Sequence, residues 1–208
     1  MGSGAYIFCE WNAVQKSWGK FQDTMIRLEQ EIIQKCNAEW KPKTFGYLTP
    51  NAGQYGRTTI LPALFNNNSG VQMAHWRQAF TSTGHQTLMT GTRAGNTIPE
   101  DFKVAITGFA FPNKNQHITE IKWQKGDKKY GRIDLEEMLS YNVPAVILEE
   151  GFMIDEEESF ELYGYVEGPL PENGPGGSDS TIYQRIVPLG ACYYKQIDRV
   201  LGNTGAAI

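Results

Sequence analysis

The chain has 208 residues, enough for one domain with an appended element, and 40% of them are hydrophobic, which is ample material for a core. With 19 Lys and Arg against 23 Asp and Glu, the net charge is -4, unlike the basic excess of a dedicated nucleic-acid-binding protein. No run approaches the roughly 18 apolar residues that a membrane-spanning helix needs, and the N-terminus lacks a signal-peptide pattern. We therefore expect a soluble globular protein without a transmembrane segment.

The clearest periodic signal runs over residues 12–40. Asn12 can cap the start of a helix, and Pro42 ends the pattern. Two alternatives are open for the apolar stripe: it packs on the sheet of its own domain, or the helix is an arm that docks on a neighbouring subunit. Seven apolar side chains recur at spacings of three or four residues and share one stripe of this helix, namely Val14, Trp18, Phe21, Met25, Leu28, Ile32 and Cys36.

After Pro42, short apolar or β-branched runs alternate with segments rich in Thr, Gly, Asn and Pro, which predicts strands joined by turns. Within one run, Phe160, Leu162 and Val166 alternate with polar and Tyr side chains, as in an antiparallel strand with one solvated face. Only residues 73–80 and 134–140 are otherwise compatible with helix. The predicted strands cover residues 44–48, 57–64, 85–89, 103–111, 118–124, 145–148, 159–166 and 181–194.

Roughly eight strands without intervening helices of about 10–15 residues argue against parallel βαβ topology and for a sandwich or barrel. The predicted fold class is mainly β: a single jelly-roll-like antiparallel β-sandwich with an N-terminal α-helical arm. Residues 1–42 are the N-terminal segment, with the amphipathic helix at about 12–40. Residues 43–208 are the sandwich domain, with long polar loops.

The charge is distributed unevenly along the chain. Residues 1–132 contain 16 basic and nine acidic side chains, whereas residues 133–184 contain 13 acidic side chains and no Lys or Arg. Packed like charges repel unless something balances them. Three explanations are open: solvent, the basic surface of another copy in head-to-tail contact, or a divalent cation such as calcium bound by hard oxygen ligands.

These patterns define a candidate assembly surface in three parts. The apolar part is on the helix: Trp18, Phe21, Met25 and Leu28. The basic group is Lys122, Lys125, Lys128, Lys129 and Arg132. The acidic group is Glu149, Glu150, Asp155, Glu156, Glu157 and Glu158.

The sequence carries no recognisable catalytic motif. It has no GxxxxGK[ST], no GxGxxG after a strand, no HExxH and no GxSxG. Three Cys lie far apart and none is in a CxxC pair, so we interpret Cys36, Cys192 and Cys9 as structural thiols in a reducing compartment rather than as nucleophiles. We predict that the protein is not an enzyme and needs no cofactor or resident metal.

The segment "PAVILEEGFMIDEEESFELYGYVEG" at 144–168 reads as a pair of core strands around a tight turn, and "QRIVPLGACYYK" at 184–195 reads as a closing strand. Together with the helical segment ahead of polar, Asn-, Gln-, Thr- and Gly-rich strands, these features resemble small viral coat proteins of the jelly-roll type. The resemblance covers residues 100–195. It implies a self-assembling capsid subunit of a virion, put together in the host cytoplasm.

Two further function classes stay open beside the coat protein. One is a carbohydrate-binding or adhesion sandwich that uses loop aromatics, with or without calcium. The other is an enzyme on a jelly-roll scaffold, which is disfavoured because three scattered His make a metal site hard to build. The partners expected of a coat subunit are other copies of itself and other virion proteins. Contact with nucleic acid is compatible with this hypothesis but not required by it.

Overall fold

The computed structural model describes residues 6–9, 19–40, 55–113, 115–136, 145–168 and 181–195. An α-helix, α1, spans Gly19–Glu39, and short 3-10 turns lie at Pro62–Leu64 and Ala94–Asn96. The strands are β1 Tyr6–Cys9, β2 Tyr55–Thr58, β3 Phe65–Asn66, β4 Arg77–Phe80, β5 Gly84–Gly91, β6 Phe102–Ala110, β7 Ile118–Lys125, β8 Lys128–Lys129, β9 Ile133–Asp134, β10 Ala145–Ile154, β11 Phe160–Val166, β12 Ile182–Arg185 and β13 Val187–Lys195.

The strands form two main antiparallel sheets. Sheet A has the order β1-β10-β6-β13-β2, and sheet B has the order β3-β5-β11-β7-β8, with β9 also paired to β7. A separate two-stranded ladder joins β4 and β12. One core cluster takes side chains from both sheets, such as Ile106 of sheet A and Leu162 of sheet B, so the sheets pack face to face. The predicted mainly β, antiparallel architecture is confirmed.

The structure confirms several of the individual strands that the sequence predicts. The predictions at 85–89, 103–111, 118–124 and 159–166 are confirmed by β5, β6, β7 and β11. Phe160, Leu162 and Val166 are buried as the alternation predicts. The prediction at 145–148 covers only the first part of β10, which continues to Ile154. Residues 44–48 lie outside the described residues.

Three sequence predictions are wrong in whole or in part. Only the first two residues of 57–64 are strand, because Pro62 starts a 3-10 turn. Residues 181–194 form two strands, β12 and β13, that belong to different sheets and are divided at Ile186. Residues 73–80 are not helical; their second half is β4, which pairs with β12 about a hundred positions later in the chain. A local sequence pattern cannot predict pairing with so distant a strand.

Helix α1 packs on the outer face of sheet A. Leu28, Ile32, Cys36 and Trp40 are buried in a cluster with side chains of β6, β10 and β13, including Ala105, Met153 and Ala191. The alternative in which the stripe packs on its own domain is therefore confirmed for these residues. Strand β1, from the same N-terminal segment, forms the edge of that sheet beside β10. Residues 12–18 lie outside the described part of the chain.

A β-bulge interrupts β10 where the helix crosses it. The register with β6 shifts between Ile147 and Phe152, and the intervening Gly151 has a φ of 58°. Thr24 donates its hydroxyl hydrogen to the Glu149 carbonyl at 2.6 Å, and Arg27 donates to the Glu150 carbonyl. The bulge therefore projects two acidic residues from sheet A, and α1 satisfies their backbone.

Candidate functional site

The C-terminal half of the acidic group meets α1 in an ion cluster built around Lys103. The side chain of Lys103 is 0% exposed, and its Nζ lies 2.6 Å from Glu39 Oε2 and 3.7 Å from Glu156 Oε1. It also donates to Asp155, whose other carboxylate oxygen lies 2.6 Å from Lys35 Nζ. We call these five residues the helix-end ion cluster. It joins the last turns of α1 to β6 and to the end of β10.

The electrostatics of this cluster depend on hydrogen bonds that outweigh burial. Burial alone would raise the pKa of Asp155, but hydrogen bonds from Lys103 and Lys35 outweigh it and hold that pKa below the ordinary 3.8. Burial would likewise lower the pKa of Lys103, but its bonds to Asp155 and Glu39 keep it above 10.5. The hydrogen bond to Asp155 raises the pKa of Lys35 as well. All three groups are thus held in their charged forms at neutral pH.

The remaining contacts of this acidic segment are also within the chain. Trp40 donates its indole N–H to Glu156 Oε2 at 3.1 Å, and its ring lies 5.1 Å from Lys103 Nζ. Glu158 accepts from the backbone N–H of Asp155 at 2.8 Å and pairs with Lys125 Nζ at 3.3 Å. None of the three explanations that the sequence left open, namely solvent, another copy or a divalent cation, is needed for Asp155, Glu156 and Glu158. Cations of the same chain, brought close by the fold, balance them.

The basic group divides in the same way. Lys125 pairs with Glu158, and Arg132 Nε lies 2.9 Å from the buried Glu120. The other three members are exposed at the β7–β8 edge of sheet B and form no ion pair with any residue that the structure describes: Lys122, Lys128 and Lys129. We call these three the free basic edge.

Three members of the acidic group keep exposed side chains. Glu149 and Glu150 project from the β10 bulge, on the sheet opposite to the free basic edge. Glu157 lies at the tip of the β10–β11 connection with a φ of 57°. The predicted charged assembly surface is thus reduced to one exposed patch on each sheet and this tip.

The apolar part of the predicted surface is mostly used inside the chain. Leu28 is 2% exposed against sheet A, and Met25 packs half-buried on the same cluster. Sheet A therefore covers Leu28, whereas Met25 stays partly accessible. Trp18 and the side chain of Phe21 lie outside the described residues. The large apolar side chain that α1 does expose is Ile26, at 56%.

Thiols and metal-ligating side chains form no reactive centre in the described part of the chain. Cys36 and Cys192 are free and buried, and desolvation raises the pKa of each thiol to about 12. Both thiols are thus buried, as the structural interpretation predicts. The side chain of Cys9 is outside the described residues. Among the described residues, no three His, Cys, Asp or Glu lie close enough together to hold a metal ion, so the calcium explanation gains no support.

Sequence reasoning missed one feature, a cavity of about 670 Å³ beside the β4–β12 ladder. The ladder register places Arg77 directly opposite Arg185, and both line this cavity together with Tyr183. The alternation of exposed and buried residues in "RQAF" and "IYQR" is a weak signal for such a ladder. Nothing in either segment indicates that they pair with each other.

No helix among the described residues is long and apolar enough to cross a membrane. Comparison of the chain with protein-family models, with curated proteins and with solved structures finds no match.

Proposed function

We propose that this chain is a non-enzymatic viral coat subunit, whose sandwich is a jelly roll that self-assembles into a shell through head-to-tail contacts. The observation that carries the proposal is a nested strand pairing. The first main strand pairs with the last, β2 with β13; inside that pair lie β5 with β11, then β6 with β10, then β7 with β8. A long hairpin rolled into two sheets pairs its strands in this order. Jelly rolls of this kind form viral capsid and lectin domains.

A shell subunit needs a rigid fold to make the same contacts with each neighbour, and two features make this fold rigid. Helix α1 is buried along sheet A, and the helix-end ion cluster fastens its last turns to β6 and β10. The β10–β11 segment that resembles coat proteins does not form a hairpin within one sheet. It crosses from sheet A to sheet B, as nested pairing requires. These contacts support a rigid building block rather than a jointed one.

The contacts between copies are proposed to be electrostatic and heterologous. The free basic edge lies on sheet B, whereas the β10 bulge with its exposed Glu150 lies on sheet A. The basic and acidic patches of one copy therefore lie on different sheets and can contact two different neighbours. When the basic patch of one copy meets the exposed Glu150 of the next, the first copy still presents its Glu150 and the second its basic patch. Such head-to-tail contacts close into rings or shells when the rotation between copies allows it.

The function test is negative-stain electron microscopy of the full chain at neutral pH and moderate salt. We expect regular shells or rings that dissociate as salt rises, because surface charge pairs are screened. Reversing the basic patch with Lys128→Glu and Lys129→Glu should abolish assembly. Reversing the acidic side with Glu150→Lys should do the same. A chain that carries all three substitutions should assemble again, since both sides of the contact are exchanged.

Arg93→Glu is the matched control, because Arg93 is an exposed cation outside both patches and should leave assembly intact. Failure of the three-substitution chain to regain assembly would reject this contact. Small separate particles of the unaltered chain at high concentration would reject the coat function. Glycan binding by such particles would then indicate the carbohydrate-binding alternative.

A further inference from the structure

The β4–β12 ladder presents a cationic face beside an open cavity. Alternation along the two strands buries Gln78, Phe80, Ile182 and Gln184 and exposes Arg77, Tyr183 and Arg185. The Arg77 guanidinium carbon lies 4.0 Å from the centre of the Tyr183 ring, and Tyr183 is 53% exposed. We call this arrangement the Arg–Tyr–Arg face.

A loop between β6 and β7 is hydrogen-bonded to this ladder and contributes to the lining of the cavity. Asn113 accepts from the backbone N–H of Arg185 at 2.8 Å and donates to its carbonyl at 3.2 Å. The buried Gln184 side chain donates to the Asn115 carbonyl at 2.9 Å and accepts from the His117 N–H at 3.2 Å. These bonds hold Asn115 and His117 at the cavity wall. The site is therefore built from ordered contacts rather than from chance proximity.

The described lining of the cavity carries positive charge without a negative charge to balance it, which favours binding of an anion. Like charges directly opposite each other in an antiparallel pair are unfavourable, yet Arg77 and Arg185 occupy such a pair. Neither guanidinium forms an ion pair with any residue that the structure describes, and the described lining of the cavity includes no Asp or Glu. In a chain of net charge -4, an anionic ligand with more than one charge would relieve this repulsion.

We propose that the Arg–Tyr–Arg face binds single-stranded nucleic acid. Arg77 and Arg185 each contact a backbone phosphate, and a base stacks against the Arg77–Tyr183 pair. Asn115 and His117, which also line the cavity, offer polar groups to the edge of that base. This role goes beyond the proposed coat function and does not depend on it, because a coat subunit can assemble without binding a strand.

Two properties of the site favour a nucleic-acid strand over an acidic glycan. A single sialic acid or uronic acid brings one carboxylate, which balances one of the two guanidinium groups, and a sulfated glycan that balances both has no aromatic ring to stack. A strand brings one phosphate with every nucleotide, so neighbouring phosphates balance both. Stacking is the second property, since every base has a π-face that matches an exposed Tyr ring and a planar guanidinium.

The test measures binding of fluorescent oligo-dT and oligo-rU of roughly 20 nucleotides, longer than a site of about 4–16 nucleotides, by anisotropy with the full chain. Binding is followed between about 50 and 200 mM salt. We expect Arg77→Gln and Arg185→Gln each to reduce the slope of log K against log salt by about 0.7, as for one lost phosphate contact. Tyr183→Ala should weaken binding about tenfold, whereas Tyr183→Phe keeps the ring and should bind normally.

Arg93→Gln is the matched control, since it removes an exposed Arg outside the cavity and should leave both affinity and slope unchanged. Sedimentation of the same samples reports assembly separately, so loss of strand binding and loss of assembly are distinguished. The proposal is overturned if the unaltered chain does not bind either strand at low salt, or if Arg93→Gln weakens binding as much as Arg77→Gln. Tighter binding of a sulfated or sialylated oligosaccharide through the same three residues would also overturn it.

Discussion

Lys103 on β6 donates to the carboxylate of Glu39, the last residue of α1, across 2.6 Å and 64 positions of sequence. A carboxylate at a helix C-terminus is unfavourable by itself, because that end of the helix dipole is negative. The buried ammonium of Lys103 compensates it and draws the end of α1 onto the sheet. This pair explains why an acidic residue can end the helix and why a lysine can be fully buried in a sheet.

We expect Lys103→Met to lower the free energy of unfolding by about 3 kcal/mol, since it removes the shared partner of three carboxylates. The value lies at the low end for a broken buried pair because those carboxylates are 22–45% exposed and regain water. Urea unfolding measures it. Lys35→Met is the control: Lys35 is 37% exposed, and its loss should cost less than about 1 kcal/mol. Equal losses for the two variants would contradict a central role for Lys103.

The helix-end ion cluster also predicts the pH dependence of stability. The pKa of Asp155 is lowered in the folded chain, so its contribution is complete above the ordinary 3.8 and is lost as pH falls through the folded value. The pKa values of Lys35 and Lys103 are raised, so their contribution is complete below 10.5 and is lost as pH rises through the folded values. Asp155→Asn should therefore flatten the acid side of the curve, measured by urea unfolding from neutral pH to about pH 3. Glu157→Gln, at an exposed position close to Asp155 in the chain, should leave the acid side of the stability curve unchanged.

The β10 bulge predicts a strong effect of Gly151→Ala. An added Cβ would lie 2.7 Å from Leu28 Cδ1 and 2.8 Å from the Ile106 carbonyl, in a backbone with φ of 58°. The conformational cost of about 1–2 kcal/mol adds to a steric one of similar size, so we expect a loss of about 3 kcal/mol. Gly70→Ala separates the two, because Gly70 has a φ of 74° with nothing within 4 Å. Thermal unfolding should show a smaller loss for Gly70→Ala than for Gly151→Ala.

Packing of α1 on its own sheet predicts the effect of shortening its apolar side chains. Ile32 is 0% exposed, so Ile32→Ala should lower the free energy of unfolding by about 2–5 kcal/mol. Ile26 is 56% exposed, and Ile26→Ala should change stability by less than about 0.5 kcal/mol. Both effects should be independent of protein concentration in urea unfolding. A loss for Ile32→Ala that disappears on dilution would indicate that the stripe packs on another copy instead.

Local periodicity was enough to predict the elements that turn one face to the core and the other towards solvent. The stripe that includes Leu28, Ile32 and Cys36 lies on one covered face of α1, and the alternation through β11 separates core from solvent. In both elements, core-facing and solvent-facing side chains recur at the period of the helix or the strand. The same period is therefore visible as a repeat of apolar residues in the sequence.

The pairings at the candidate sites left no such pattern, because each joins distant segments. Lys35 and Asp155 are 120 positions apart, and β4 meets β12 across about a hundred. The charge segregation is visible in the sequence, but the partners of Asp155 and Glu158 depend on how β6, β7, β10 and α1 are stacked.

The sequence by itself determined an antiparallel, mainly β chain with one amphipathic helix, because burial of apolar side chains sets these periods locally. Only the tertiary structure decided which charges are balanced within the chain and which stay exposed. It also decided that Arg77 lies opposite Arg185 at a cavity. Ion pairs and ladder registers depend on distances between segments, and those distances exist only after the two sheets have packed.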